Sequence, residues 1–423
     1  MASSEPGAPP AAALAGLRVL DLSRVLAGPW CSQQLADLGA DVVKVERPGS
    51  GDDTRSWGPP WLAREGEACG DAGAAGPGES AYFLSTNRNK RSITIDIAQP
   101  EGRQLVRDLA LRADVLLENF KAGGLAPYGL DYASLAALNP RLVYCSITGF
   151  GQTGPYAERP GYDFLIQGLG GLMSVTGRPD GEPGAGPLKV GVALTDVLTG
   201  MYASVAVLAA LQRRQVSGRG QHIDLALLDV QVAALANQAS SYLVGGQAPQ
   251  RLGNAHPSIV PYQDFPTADG HVIVAVGNDG QFAAFAAALG CPQWARDPRY
   301  ATNPERVRQR RELVALIAAI TVTRTTDEWI AAMEAAKVPC GPINTLDRVF
   351  ADPQVRARGL RVEVAHPHAA ALPLVANPIR LSESPVAYRR PPPLLGEHTA
   401  AVLDDWLALD GAAIEDLRRR QIV

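Results

Sequence analysis

Two patterns of apolar residues alternate along the first half of this chain. Residues 17–22, 41–46, 92–97, 114–118 and 142–147 are short runs rich in Val, Ile and Leu, the pattern of strands half or wholly buried in a sheet. Between them, residues 29–38, 100–113 and 132–138 carry apolar positions at helical spacing, with Pro29 and Pro100 in the first turns of the first two. Strands alternating with helices predict an α/β domain around a mainly parallel sheet. Residues 48–80 are rich in Gly, Pro and charge and read as a long loop.

Further along, residues 197–211 form an apolar run interrupted by Thr199, Gly200 and Ser204 and followed by Arg213 and Arg214. It is short for a membrane span and reads as a buried helix of a soluble fold. Residues 223–244 read as a second helical stretch. A strand at 271–276, a turn at 277–281 leading into a helix, and amphipathic helices at 306–321 and 326–336 mark a second unit. Residues 391–396 form a rigid Pro-rich segment, and a helix at 399–409 is expected to close the chain. No internal repeat is visible.

With 423 residues, 46% hydrophobic and 19% charged, the chain is a globular protein with room for more than one domain. Its net charge of −4 gives no general attraction to nucleic acid or anionic membranes. Cys31, Cys69, Cys145, Cys291 and Cys340 are odd in number, widely spaced and free of CxxC pairs. That points away from a disulfide scaffold or a zinc site and toward a reducing compartment. Residues 1–13 contain no Lys or Arg, unlike a signal peptide or presequence, so a cytoplasmic location is expected.

One carboxylate stands out. Asp196 lies where an apolar run turns into an Ala-rich helix, with Thr195 read as the N-cap. There it either serves only as a helix-start carboxylate or does chemistry beside unpaired backbone N–H groups. The stretch Val25-Leu-Ala-Gly-Pro29 joins the first strand to its helix, at the sheet end where α/β proteins bind ligands. Glu46 ends the next strand, where a ribose-binding acid of a dinucleotide site would lie, but Gly28 stands alone and no G-x-G-x-x-G accompanies it. A nicotinamide site is therefore not expected. Arg47, Arg88, Lys90 and Arg91 fall near predicted strand ends, either as solvated charges or as ligands for a polyanion. His222, His256, His271, His366, His368 and His398 form no metal or triad pattern.

Together, Asp21-Leu-Ser-Arg-Val-Leu-Ala-Gly-Pro29, Gly39-Ala-Asp-Val-Val-Lys-Val-Glu-Arg-Pro48, Gly51-Asp-Asp-Thr-Arg55, Asn89-Lys-Arg-Ser92, Asp114-Val-Leu-Leu-Glu-Asn-Phe120, Ser146-Ile-Thr-Gly-Phe-Gly151 and Thr195-Asp-Val-Leu-Thr-Gly200 resemble the class III CoA-transferases, the CaiB/BaiF family. The resemblance runs from about residue 17 to 398. Residues 251–263 and 390–399 are most similar to its succinate/glutarate branch, which handles dicarboxylic acyl groups.

The resemblance implies that Asp196 is a nucleophile forming aspartyl acyl and aspartyl-CoA intermediates, without metal, ATP or a permanently bound cofactor. It implies a coenzyme A site at Val25, Leu26, Ala27, Arg47, Ile95, Asn119, Phe120, Lys121, Thr148 and Phe150, with Arg47 on the nucleotide phosphates. It also implies an acyl-end loop at Gly253, Asn254, Ala255 and His256. Where the oxalate branch has Gln, this chain has Leu26, and where that branch has an Arg, it has Pro127. The related 2-methylacyl-CoA racemases use a His–Asp pair where this chain has Tyr162 and Asp163. Phenol is a poor base near neutral pH, which favours transfer over racemisation. A non-enzymatic CoA-binding protein is the remaining alternative.

The implied fold is α/β: a Rossmann-like large domain built from both chain ends with a smaller inserted domain, in an interlocked homodimer. The domains are placed at 15–212, 239–338 and 339–423, with a helical linker at 213–238. The expected partners are an acyl-CoA and a small carboxylic acid.

Overall fold

The computed structural model describes residues 12–62 and 78–423. Cys69 and the middle of the loop expected at 48–80 lie outside the described residues. Six strands form one sheet: β1 (Arg18–Asp21), β2 (Asp41–Glu46), β3 (Lys90–Thr94), β4 (Val115–Glu118), β5 (Val143–Thr148) and β6 (His222–Ala226). All are parallel, in spatial order β3-β2-β1-β4-β5-β6. This is the doubly wound order, and it reverses between β1 and β4. At that point the connections leave on opposite faces and open a crevice at the carboxyl ends of the strands.

Alternation along the strands builds the two faces. Leu20, Val43 and Leu116 point into one core with Val106 and Leu109 of α2 (Pro100–Arg112), joined there by Val402, Leu403 and Trp406 from the far end of the chain. Val19, Val42 and Val115 point into the other, with Cys31 and Leu35 of α1 (Ala27–Asp37). Ala203 and Val207 of α5 (Leu194–Ser217) pack into the same core. Between these lie α3 (Tyr132–Leu138) and α4 (Asp163–Leu169), and α6 (Leu227–Ala234) follows β6.

Several elements differ from expectation. Residues 223–244 do not begin as helix: Ile223 and Leu225 face the core on either side of exposed Asp224, and the segment pairs with β5 as an edge strand before α6 starts. The region 213–238 is thus not a helical linker but contains the last strand of the sheet. The β3 strand begins two residues earlier than expected, at Lys90. A further helix, Gly411–Arg419, follows Thr399–Leu407. Among the described residues, α5 is the one helix long and apolar enough to cross a membrane by length and composition. Its Thr195, Thr199, Ala203 and Val207 face is buried in the sheet domain.

By contacts the chain divides into two units. The first holds Met1–Leu172, Val190–Leu243 and Arg356–Val423, and the second Met173–Lys189 and Val244–Val355. Met173–Lys189 thus joins the second unit, and the boundaries near 239 and 338 lie farther along the chain than the sequence placed them. The second unit has a three-stranded antiparallel sheet of Tyr262–Pro266, His271–Ala275 and Cys340–Pro342. Its core gathers Phe265, Phe282, Phe285 and Trp329.

Candidate active site

The β1–α1 loop is held in a conformation its sequence resists. Val25 has φ +71°, a left-handed backbone that a β-branched residue avoids. Such strain costs about 1–3 kcal/mol and persists only where neighbours impose it. Here the Val25 N–H donates to both oxygens of Asp52 at 3.2 and 3.3 Å. Asp52 is buried against Lys44 at 2.8 Å, and Lys44 also donates to the Ser23 carbonyl at 2.7 Å. At the other end of the loop, Lys90 donates to the Pro29 carbonyl at 3.0 Å and to Asn87 at 2.9 Å, and lies 3.4 Å from Asp21.

All four charges are buried and paired. Burial opposes ionisation of Asp52, but Lys44 beside it holds that carboxyl at about 2. Lys44 is likewise disfavoured by burial, yet Asp52, Asp21 and Glu46 keep its amine above the usual lysine value. Burial pulls the Lys90 amine down to about 8 despite Asp21.

Asn119 at the end of β4 clamps the same loop. Its carbonyl oxygen accepts from Arg24 N–H at 2.9 Å, and its amide donates to the Arg24 carbonyl at 2.7 Å. The side chain is thereby committed to positioning the loop.

Asp196 lies at the start of α5, which passes close to α1. A Cβ on Gly200 would come within 2.6 Å of the Ala27 carbonyl, so a glycine there is what lets the two helices approach. The helix begins earlier than expected. Ala193 occupies the cap position and Thr195 is already helical, its hydroxyl donating to Gln231 at 2.6 Å. The cap is supplied from outside: one oxygen of Asp163 accepts from the N–H groups of Thr195 at 2.9 Å and Asp196 at 3.4 Å. Its other oxygen accepts from Gln167 at 2.7 Å. The helix-start N–H groups are therefore not free to receive an oxyanion beside Asp196. Among the described residues, those of Ala27 and Gly28 at the start of α1 have no acceptor.

Burial, with Asp163 adding repulsion, raises the Asp196 carboxyl from 3.8 to about 7. Burial also pushes the Tyr82 phenol up to about 12, with Asp196, Asp163 and Asp52 contributing, so it remains a hydrogen-bond donor at neutral pH. Gly149 and Gly161 make the loop before α4 possible: a Cβ on either would meet the other's Cα within 2.6 Å.

Two adjoining hollows hold most of the expected residues. Asp196 lines a cavity of about 190 Å³ with Val25, Leu26, Ala27, Asn119, Phe120, Lys121 and Thr148. Arg47, Ile95, Phe120 and Lys121 line a cleft of about 480 Å³. Arg24, Asp53, Phe120 and Lys121 border both, so the two form one path from the strand ends to Asp196. Phe150 lines neither; it is buried and packs edge-on against Tyr156, ring centres 5.6 Å apart. Gly253, Asn254, Ala255 and His256 belong to the second unit. There the Gly253 N–H donates to Gly177, Asn254 donates to Asp264 at 2.9 Å, and the His256 N–H donates to the Tyr262 carbonyl.

Three of the four basic residues near strand ends have other roles. Lys90 is enclosed as described, Arg88 pairs with buried Asp37, and Arg91 bridges Asp41 and Asp405. Arg91 pairs with Asp41 at the amino end of the sheet, opposite the cleft, whereas the Lys90 amine is buried beside Asp21 at the carboxyl end of β1, beneath the β1–α1 loop. Glu46 is held by Arg55 at 2.8 Å and by Ser92, which leaves it no part in binding a ribose. Tyr162 lines the Asp196 cavity, but Asp163 behind it is fully engaged.

The sequence reading missed Arg24, Asp52, Lys44, Tyr82 and Arg159. Arg24 sits between the two hollows, paired with Asp53 at 3.0 Å, and followed directly from the loop already singled out. Lys44 and Asp52 were within quoted motifs, but no pattern marks a buried pair.

The sequence model of CoA-transferase family III matches residues 14–399. The succinate–glutarate CoA-transferase of Agrobacterium fabrum is 53% identical over 401 residues, covering 95% of this chain and 97% of its own length. The succinyl-CoA:glutarate CoA-transferase of Homo sapiens is 42% identical over 410 residues, covering 97% of this chain and 90% of its own. The crystal structure of a CaiB/BaiF family protein from Brucella suis is 50% identical with a TM-score of 0.80, over 93% of this chain and 99% of that one. Matched over nearly its whole length, the chain belongs to CoA-transferase family III.

Proposed function

We propose that this enzyme moves CoA from an acyl-CoA such as succinyl-CoA to a small dicarboxylic acid, with Asp196 as the covalent carrier. One observation carries the reading: a carboxylate raised to about 7 by burial sits at the inner end of a path leading from the strand ends. Burial leaves the ionised carboxylate poorly solvated and hence nucleophilic. The names of the relatives support the substrate class.

In the first step an Asp196 oxygen attacks the thioester carbonyl. The C–S bond breaks, leaving a mixed anhydride and CoA thiolate. The thiolate then attacks the aspartyl carbonyl, which releases the first acid and leaves an aspartyl-CoA thioester. The incoming acid displaces the thiolate to form a new mixed anhydride. Thiolate attack on the new acyl carbon yields the product acyl-CoA and restores Asp196. Every step exchanges one activated acyl bond for another, so no outside energy source is required.

The two unoccupied N–H groups opening α1 and the Tyr82 phenol are the donors suited to the successive oxyanions. The CoA nucleotide is assigned to the larger cleft beside Arg47, and the thioester to the smaller cavity. Proton transfer of the racemase type has little support here, since both Asp163 oxygens already accept hydrogen bonds.

The enzyme is also proposed to act as a homodimer. Met201, Tyr202 and Val205 expose an apolar stripe on α5 that a second copy would cover.

The test is CoA transfer from succinyl-CoA to glutarate by wild type and Asp196→Ala. The expected result is a loss of more than about a thousandfold, comparable to removal of other covalent nucleophiles. An active variant, or α-proton exchange with deuterated solvent in the absence of any acceptor acid, would overturn the transfer reading.

A further inference from the structure

A dicarboxylic acyl group brings a second negative charge toward Asp196 and Asp163, and something must receive it. Three cations line the Asp196 cavity: Arg24, Lys121 and Arg159. Arg24 and Lys121 also border the larger cleft, and Arg24 is paired with Asp53. Arg159 borders only the cavity that holds Asp196.

The Arg159 guanidinium has no carboxylate or other hydrogen-bond partner among the described residues. It lies over the ring of Tyr156 at 4.3 Å. Tyr156 packs edge-on against buried Phe150, in the loop directly after β5. A planar cation stacked on an aromatic ring is restrained in orientation while its N–H edge stays open, the arrangement that suits bidentate capture of a carboxylate. This also gives Phe150 a role, as the anchor of the stack rather than a wall of the cavity.

We propose that Arg159 is the distal-carboxylate site, the residue that selects dicarboxylic over monocarboxylic acyl groups. The inference rests on the transfer reading above, and the test separates the two. Succinyl-CoA and butyryl-CoA differ only in that a terminal carboxylate replaces a methyl. The rate of Asp196 acylation is to be measured with each thioester, for wild type, Arg159→Gln and Arg159→Lys, together with the affinity for CoA alone.

Arg159→Gln is expected to lose roughly 10- to 100-fold in kcat/KM for succinyl-CoA, the effect of one charge-assisted pair. Butyryl-CoA and CoA are expected to stay within about twofold of wild type, since neither carries the group the pair recognises. Arg159→Lys should recover part of the loss, because charge returns without the fork. Equal losses with both thioesters, or weakened binding of CoA, would assign Arg159 to the CoA phosphates and overturn the proposal. Unchanged selectivity would overturn it too. Absence of any Asp196 adduct in the wild type would overturn the transfer reading itself.

Discussion

Replacing Asp196 with Asn should make the protein more resistant to unfolding, and increasingly so as pH rises. The carboxyl stands at about 7 in the fold, against 3.8 as its ordinary value. Between those values the native state holds a proton that the unfolded chain has released, so stability falls as pH rises through this window. Above about 7 both states are ionised and the cost is fully present. Between pH 5 and pH 8 the swing amounts to about 2.5 kcal/mol for an isolated site, and solvent entering the open cavity brings it to about 1–2.5 kcal/mol.

The asparagine amide cannot ionise, so the gap in stability between variant and wild type should widen by that amount from pH 5 to pH 8. In a thermal melt this is a change of about 2–5 °C in the difference between the two midpoints. Differences from packing or lost hydrogen bonds are independent of pH and cancel. A gap that is constant, or narrows toward pH 8, would show that Asp196 is an ordinary solvated carboxylate and would remove the physical basis for its nucleophilicity.

Four further outcomes follow from the same geometry. The acid limb of kcat/KM should rise about tenfold per pH unit and level off near 7, as one carboxyl ionises in the free enzyme; a flat profile from pH 5.5 to 8 contradicts this. Asp163→Asn should move that midpoint downward, since one source of repulsion is removed, while costing about 1 kcal/mol of stability through the weakened cap on α5. Asp52→Asn leaves Lys44 buried without its partner, at a cost of about 3–5 kcal/mol, and should raise KM for the acyl-CoA. Adding Val25→Gly, which reaches φ +71° without strain, should recover part of that KM; no recovery would show that Asp52 does not act through the loop. Gly200→Ala should cost about 1–3 kcal/mol by forcing α5 away from α1, with activity lost alongside.

The elements of the sheet domain were readable wherever a run was long or its period clear: β1, β2, β4, β5, α2 and α3 lie within a residue or two of their expected bounds. The segment opening at Ile223 was misread because a few residues of mixed polarity followed by an apolar helix present one continuous helical pattern. Only pairing with β5 separates them. Asp196 drew attention because a carboxylate at an apolar helix start stands out in one dimension, but the pattern alone left its role open, and only the family resemblance pointed to chemistry there.

The surroundings of Asp196 were not legible. The cap comes from Asp163, far back along the chain, and that pairing exists only after α4 and α5 meet. The buried Lys44–Asp52 pair lay inside quoted motifs without a role, because a sequence gives no sign of which lysine will be enclosed. For Arg88, Lys90 and Arg91 the sequence left solvated charge and polyanion binding both open, and only the fold decides: Arg88 and Arg91 close ion pairs with Asp37 and Asp41, and Lys90 is enclosed beside Asp21.

The most direct test of the account is to mix the enzyme with succinyl-CoA, quench with hydroxylamine, and locate the modification by mass spectrometry in wild type and Asp196→Ala. The account predicts a hydroxamate on Asp196 and none in the variant. A wild type that stays unmodified, or a modification on another residue, would contradict the central claim that this buried carboxylate carries the acyl group and CoA.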